Sequence, residues 1–318
     1  MTDILIAAEL RDLLGNDPVP GHTVRWLAST EPTPKGPFVA IIPLLSRWMG
    51  GTEFKHLPEL KIVANCATGV DNVDLVAAEM NGVMVTNTPD VLTESTADLT
   101  WALILAVARR LKEGIQLVEK GAWQGWHPTL LLGNELAGKT IGIVGAGRIG
   151  QAVGRRAKAF GMRLLYNSRK RKDDFEAETK ASRTDLATLL KESDVVTLHT
   201  ASNQETHGLM NRERFAQMRR GAVLINTARG DIVREPALIE ALEQGTLGGA
   251  GLDVFVEEPG VNPALVAHPR VVTLPHLGSA TWETRRAMAD LAVRNVRAVL
   301  AGAPPLTPVV GGRPSSLA

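Results

Sequence analysis

The segment Thr140–Phe160, TIGIVGAGRIGQAVGRRAKAF, constrains this chain more than any other. TIGIV is short, apolar and rich in β-branched residues, so it reads as a buried strand. GAGRIG follows at once, and IGQAVGRRAKAF then carries apolar residues at helical spacing. A strand that passes through three glycines at this spacing directly into a helix opens a βαβ unit of a parallel sheet. Gly145 permits the tight turn, Gly147 lets a pyrophosphate approach the backbone, and Gly150 allows helix and strand to pack closely. The unpaired N–H groups at the helix start suit phosphates. A six-residue glycine pattern alone is weak; in this strand–helix setting it predicts a dinucleotide site.

The next strand, MRLLYNS, ends where the cofactor's adenine ribose is read. An acid at that point accepts from a ribose 2′-hydroxyl, whereas cations accommodate a 2′-phosphate. Here the chain runs Tyr166-Asn167-Ser168-Arg169-Lys170-Arg171, with no acid before Asp173. A carboxylate about 4 Å from a phosphate costs roughly 4 kcal/mol per charge pair at a surface-like dielectric, and cations reverse that sign. A solvated charge run is the other reading of this loop. Its place after the second strand favours a 2′-phosphate site built on Ser168, Arg169 and Lys170. The expected cofactor is therefore NADPH (NADP), with NAD possible at lower affinity.

The rest of the chain repeats the same alternation. Short apolar strands (ILIAA, TVRWL, FVAII, KIVAN, VMVTN) alternate with helical stretches such as VDLVAAEM. A long helix is expected from about Glu94 to Glu119, buried on more than one face, and then a loop through WQGWHPTLLLGNELAGK. A second alternating series starts at Thr140 and runs to about Leu274. The last helix, roughly Trp282 to Leu300, places Met288, Leu291, Ala292, Val296 and Val299 on one stripe. The tail, GAPPLTPVVGGRPSSLA, is Pro- and Gly-rich and is expected to fray. Strands alternating with helices predict an α/β fold of two doubly wound parallel-sheet (Rossmann-like) domains.

Three polar residues stand at the ends of apolar runs in the second series. Arg229 follows AVLIN, Glu258 follows GLDVF, and His276 follows RVVTL. In an open parallel sheet such strand ends converge on the crevice where ligands bind. A cation, a carboxylate and an imidazole are the groups needed to hold an α-keto acid and protonate its carbonyl. Taken singly, each also has a structural reading: Arg229 at a helix C-terminus, Glu258 solvated beside Pro259, His276 bonded to backbone in a core.

Composition narrows the remaining classes. The 318 residues suggest about two domains, and 44% hydrophobic residues can build substantial cores. A net charge of +1 gives no electrostatic reason to expect nucleic acid or a membrane surface as partner. The single cysteine, Cys66, excludes an internal disulfide, fits a reducing cytoplasm and reads as a small buried hydrophobe. MTDILIAAEL lacks the charged start and the apolar length of a secretory signal. No apolar run approaches the ~20 residues that span a bilayer. No His, Cys or Asp cluster has metal-ligand spacing, so no metal is expected.

LKIVANCATGVDNVDL, VTNTPDVLTESTADLTWALILAVARR, GKTIGIVGAGRIGQAV, MRRGAVLINTARGDIV, GAGLDVFVEEP and TLPHLGSAT together resemble the D-isomer-specific 2-hydroxyacid dehydrogenases, over about residues 40–305. NTPDVLTESTADL and YNSRKR resemble the glyoxylate/hydroxypyruvate reductases most. Val70 stands where the family usually has an aromatic, which affects pocket shape. Sequence alone would put a boundary near residue 130. The resemblance implies instead a discontinuous substrate domain, 1–98 plus 282–318, with a dinucleotide-binding domain, 99–281, inserted in it and a cleft between them. It implies reduction of a small 2-oxo acid by hydride transfer to the D-2-hydroxy acid. His276 would be the general acid, Glu258 its partner, and Arg229 the grip on the substrate carboxylate. Thr68 and Gly69 would hold the far side of that carboxylate. Arg148, Ile149 and Thr206 would lie near the phosphates, Asp253 near the nicotinamide carboxamide, and Thr227 and Gly278 along the cofactor. The family also implies a cytoplasmic homodimer. Two other readings stay open: a nucleotide-sensing co-repressor of the same fold, and the NAD-dependent D-3-phosphoglycerate dehydrogenase branch.

Overall fold

The computed structural model describes residues 3–310. Its strands fall in two series. The first comprises β1 (Asp3–Ala7), β2 (Thr23–Leu27), β3 (Phe38–Ile42), β4 (Ile62–Ala64) and β5 (Met84–Thr86). The second comprises β6 (Thr140–Val144), β7 (Arg163–Asn167), β8 (Ser182–Arg183), β9 (Val195–Leu198), β10 (Ala222–Asn226), β11 (Leu247–Leu252) and β12 (Val271–Thr273). A last strand, β13 (Pro308–Val310), returns to the first sheet. By contacts the chain forms two compact units, one from the first 92 residues with the segment from Ala280 onward, the other Thr93–Ser279.

In the first unit the sheet order is β13-β5-β4-β3-β1-β2, parallel except for β13. The 19-residue helix Trp282–Leu300 covers one face with Met288, Ala289, Ala292, Val293, Val296 and Val299, all buried. Ile4, Ile6, Val39, Ala40, Ile42, Ile62 and Ala64 meet it from the sheet. Central strands of a sheet covered on both faces need continuous apolar runs, and FVAII is buried at every position. The expected fraying of the tail is corrected in part. Pro308–Val310 pairs antiparallel with β5, and Thr307 donates its hydroxyl to the Asn87 carbonyl. The remainder of the tail lies outside the described residues.

In the second unit all pairings are parallel, in the order β12-β11-β10-β9-β6-β7-β8. The chain runs outward from β6 through β7 to β8, then returns to build β9 to β12 on the other side. The reversal between β6 and β9 is the topological switch point at which open parallel sheets bind ligands.

The single helix expected over residues 94–119 is two helices, Thr93–Ala108 and Leu111–Glu119. Arg110 takes the left-handed conformation (φ 55°) and ends the first, and the Ala108 carbonyl accepts from Asn134 N instead of from a further helical turn. The first helix is buried through Thr96, Ala97, Thr100, Trp101, Leu103, Ile104, Val107 and Ala108. It lies unusually close to β11 because that strand reads LGGAGL. A Cβ on Gly251 would stand 3.0 Å from Leu103 Cβ, and one on Gly249 2.7 Å from Val107 Cγ1. Glycine weakens a strand but admits this approach.

Candidate active site

The glycine loop has the shape its sequence predicts. Gly145 sits at φ 98°, and a Cβ there would lie 2.5 Å from the His199 carbonyl, so only glycine allows the β6 and β9 loops to touch. A Cβ on Gly150 would collide with the Gly145 carbonyl at 2.2 Å. At Gly147 the opposite holds: nothing lies within 4 Å of a built Cβ, and the residue is exposed. Gly147 is also the N-cap of the helix Arg148–Ala159, and no side chain caps that terminus. Open space beside uncapped amides is what a pyrophosphate requires, so these residues fit a dinucleotide. Arg148 is exposed and Ile149 half-buried at the same end.

The basic loop after β7 is held from below. Arg183 donates Nε to the Ser168 carbonyl and one Nη to the Arg169 carbonyl, each at 3.0 Å. The Asn167 amide donates to the Thr184 carbonyl at 2.9 Å. Arg171 is bound by Glu176 at 2.6 Å and Asp173 at 3.0 Å. Glu176 also accepts from the buried Tyr166 hydroxyl, and these partners hold its carboxyl below the usual range. Arg171 is thereby paired within the protein, while Arg169 and Lys170 stand exposed on the braced turn. Thr206 lies in the loop after β9, where its hydroxyl donates to the Ala201 carbonyl.

The structure brings Glu258 and His276 together despite the 18 positions between them. His276 Nδ1 lies 2.7 Å from Glu258 Oε2, and Glu258 Oε1 accepts from Phe255 N at 3.1 Å. With Glu258 ionised, Nδ1 carries the proton of that bond and Nε2 is the ring nitrogen left for other chemistry. Burial pushes the Glu258 carboxyl upward, but the bond and charge of His276, the Phe255 amide and the Arg229 guanidinium together leave it below its ordinary value. Arg229 joins them because Gly230 packs against the Phe255 backbone, where a Cβ would fall 2.0 Å from a carbonyl carbon. Its backbone carbonyl is fixed by the Asn226 side chain at 2.8 Å, and its own Nη1 donates to the Ala228 carbonyl at 2.7 Å.

His276 takes a left-handed backbone conformation, φ 55°. For a residue with a Cβ this costs of order 1–3 kcal/mol unless the surroundings impose it. They do. His276 N donates to the Asp253 carbonyl at 2.9 Å, Leu277 N to Asp253 Oδ1 at 2.7 Å, and Gly278 N to Asp253 Oδ2 at 2.8 Å. Burial pushes the Asp253 carboxyl up to about 6, against these hydrogen bonds and the charge of His276. Both Asp253 oxygens, expected near the nicotinamide carboxamide, thus also serve the His276 loop. Gly278 and Thr227 are buried, and the Thr227 hydroxyl lies 2.9 Å from that of Thr100.

In the first unit the Thr68–Gly69 turn is organised by asparagines that sequence reading passed over. Asn87 Nδ2 donates to the Thr68 carbonyl at 2.7 Å, and Asn65 Nδ2 to the Gly69 carbonyl at 2.9 Å. Asn65 and Asn72 exchange reciprocal amide bonds at 3.0 Å in the core. The only advance signal was a pair of asparagines flanking CATGVD, and nothing local shows that they face one another.

Burial pushes His199 down to about 3, so it is neutral, and it is bonded to the Thr197 hydroxyl. His207 Nδ1 stands 3.3 Å from Asp231, which also accepts from Ser202. Cys66 is buried, with its thiol pushed up to about 12 by burial. Trp126 and Trp282 are 83% and 77% exposed. Among the described residues no group of three or more His, Cys, Asp or Glu could hold a metal, and no helix is long and apolar enough to cross a membrane.

Comparison with known proteins bears on this arrangement. Residues 101–278 match the model of the "D-isomer specific 2-hydroxyacid dehydrogenase, NAD binding domain" family. A glyoxylate reductase of Thermococcus onnurineus is 49% identical over 272 residues, covering 84% of this chain and 81% of its own. Among solved structures, the TT0316 protein of Thermus thermophilus superposes with a TM-score of 0.88 at 45% identity, covering 97% of this chain and 100% of that one. An NADPH-dependent glyoxylate/hydroxypyruvate reductase of Sinorhizobium meliloti, solved with NADP and malonate, gives a TM-score of 0.88 at 33% identity, covering 98% and 97%. The matched span holds the glycine loop, Arg229, Glu258 and His276, and the likeness extends through both units; the chain belongs to the D-isomer-specific 2-hydroxyacid dehydrogenase family and is glyoxylate-reductase-like within it.

Proposed function

We propose that the protein reduces a small 2-oxo acid of the glyoxylate or hydroxypyruvate type to the D-2-hydroxy acid, with NADPH preferred and NADH used at lower affinity. The observation that carries this reading is the 2.7 Å pairing of His276 Nδ1 with Glu258, with Arg229 acting on the same carboxylate. When bound, the reduced nicotinamide supplies the hydride that reaches C2 of the oxo acid. His276 holds the proton that the developing alkoxide needs, presented from Nε2, while Glu258 stabilises the protonated ring and fixes its orientation. Arg229 grips the substrate carboxylate through its planar fork and polarises the ketone oxygen. In the first unit, the Thr68–Gly69 turn is the proposed carboxylate-binding backbone, its carbonyls being held by Asn87 and Asn65.

NADPH is favoured because Arg169 and Lys170 are exposed on a turn that Arg183 braces through two carbonyls, with no acid in the sequence between Tyr166 and Asp173. Gly145, Gly147 and Gly150 supply the pyrophosphate cradle, with Arg148, Ile149 and Thr206 nearby. Asp253, Thr227 and Gly278 shape the nicotinamide end. A second copy of this chain is the expected partner. The helix Leu111–Glu119 buries no residue and exposes Leu111, Ile115 and Val118, followed by exposed Trp123, Trp126 and Leu132. Exposed apolar side chains of this kind suit a protein interface. The test is direct: purified protein is mixed with NADPH and either glyoxylate or hydroxypyruvate, and loss of nicotinamide absorbance is followed. Tight NADPH binding with no turnover of any 2-oxo acid would favour a nucleotide-sensing role instead.

A further inference from the structure

Asp253 anchors the His276 loop at three successive amides, but the carbonyl at the far end of that loop is held by another element. Thr96 Oγ1 donates to the Gly278 carbonyl at 3.1 Å, across 182 positions of sequence. Thr96 is 4% exposed and lies in the helix Thr93–Ala108. One turn further on, the buried Thr100 donates its hydroxyl to the Thr96 carbonyl at 2.8 Å and meets the Thr227 hydroxyl at 2.9 Å. A hydroxyl has one proton. Since that of Thr100 goes to Thr96, the Thr227 hydroxyl is the donor to Thr100. Thr227 stands two residues before Arg229. One helix face therefore touches both loops, the one that carries Arg229 and the one that carries His276.

Ordinary helix packing does not account for these residues. Threonine is a poor choice for a helix interior, and a buried hydroxyl is unfavourable unless it finds a partner. Both hydroxyls find theirs on the two loops or between themselves. The glycines of β11 bring the helix close enough for this reach, and a Cβ on Gly278 would already stand 3.4 Å from both Thr96 Oγ1 and Asp253 Oδ2. We infer that Thr96 and Thr100 are positioning residues of the reductase: they tie the His276 and Arg229 loops to one rigid helix and so fix the imidazole relative to the guanidinium. The inference rests on the proposed role of His276 as proton donor. Proton transfer requires heavy atoms within about 2.6–3.2 Å, and misplacement by about 1 Å can cost a hundredfold in rate.

The experiment uses the full-length enzyme with Thr96→Val, Thr96→Ser, Thr100→Val and His276→Ala. It reads steady-state kinetics with NADPH and glyoxylate, NADPH binding by fluorescence, thermal melting and the solvent deuterium isotope effect on kcat. Thr96→Val keeps the shape and removes the donor, so kcat should fall about tenfold, the worth of one hydrogen bond. NADPH affinity should change less than about twofold, and the isotope effect should rise as proton transfer becomes more limiting. Thr96→Ser, which restores the hydroxyl, should recover most of kcat. Thr100→Val acts through Thr227 and should raise the KM for glyoxylate more than it lowers kcat. Normal kcat in Thr96→Val, or an equal loss in Thr96→Ser, would overturn the inference. If Thr96→Val melts below the assay temperature, Thr96→Ala is read in the same way. His276→Ala separates the two levels. If it still turns over, the proton-donor assignment fails; if it is dead while Thr96→Val is normal, only the positioning role fails.

Discussion

The sharpest test of the proposed chemistry is Glu258→Gln, which keeps the size and one hydrogen bond of the side chain but removes its charge. The interaction lost is a charge-assisted bond of 2.7 Å between Glu258 Oε2 and His276 Nδ1. Such bonds contribute about 1.5–3 kcal/mol. Both side chains are about one-third exposed, 34% for Glu258 and 33% for His276, so solvent screening argues for the lower end. At 1.36 kcal/mol per factor of ten, about 1.5 kcal/mol corresponds to roughly a tenfold effect on rate. The charged imidazole is one of the groups that hold Glu258 below its ordinary value, and the variant removes the carboxylate that faces it. In the proposed reaction His276 gives its proton to the developing alkoxide, so kcat/KM for reduction should fall about tenfold in Glu258→Gln while NADPH still binds. Steady-state rates with saturating cofactor measure this. A stability effect accompanies it: a carboxyl lowered in the folded state stabilises above its ordinary value and loses that contribution as pH falls through the folded one. Wild type and variant should therefore differ in melting at neutral pH and converge in acid. An unchanged kcat/KM would show that Glu258 does not support His276 in the proposed proton transfer.

Other consequences are equally direct. His276→Ala should lower kcat about 10²–10⁴-fold while NADPH still binds, as fluorescence titration can show. Arg229→Lys should lower kcat/KM for every 2-oxo acid tried, because an ammonium cannot make a planar two-point grip; an effect confined to one substrate would place Arg229 in side-chain selection instead. Arg169→Ala should weaken NADPH by roughly 1.5–3 kcal/mol, about ten- to a hundred-and-fifty-fold, and leave NADH nearly unchanged in calorimetric titrations. An acid added to reverse the preference belongs at Ser168, since the Asn167 amide is committed to the Thr184 carbonyl and a carboxylate there would face that oxygen. Equal losses for both cofactors would remove the 2′-phosphate reading. Cys66, buried and with its thiol pushed up to about 12, should resist alkylation at pH about 8 until the protein unfolds, which mass spectrometry after a timed iodoacetamide pulse can follow.

Much of this molecule is written locally. TIGIVGAGRIG specifies a strand, a turn that only glycine can make and a helix start, because each depends on contacts within a few residues; the structure has all three in place. The alternation of apolar runs and helical stretches likewise fixes a pair of parallel sheets, since strands buried on both faces must be apolar throughout. The sequence could also mark Arg229, Glu258 and His276 as residues at strand ends. It could not show that the imidazole and the carboxylate share a 2.7 Å bond. Nor could it show that a left-handed His276 is imposed by three amides converging on Asp253, because those distances arise only when β11 and β12 pair in register. The break at Arg110 was hidden for the same reason: the 94–119 stretch has helical periodicity throughout, and the carbonyl that ends the first helix is claimed by Asn134, 26 positions on. Thr96, Thr100 and the asparagines around Thr68 carried no sequence signal, because a threonine or an asparagine declares a role only through what it faces. Local chemistry determined most of the elements and the dinucleotide-type glycine loop; tertiary packing alone decided which polar groups meet, since hydrogen-bond geometry depends on fractions of an ångström that sequence spacing does not encode.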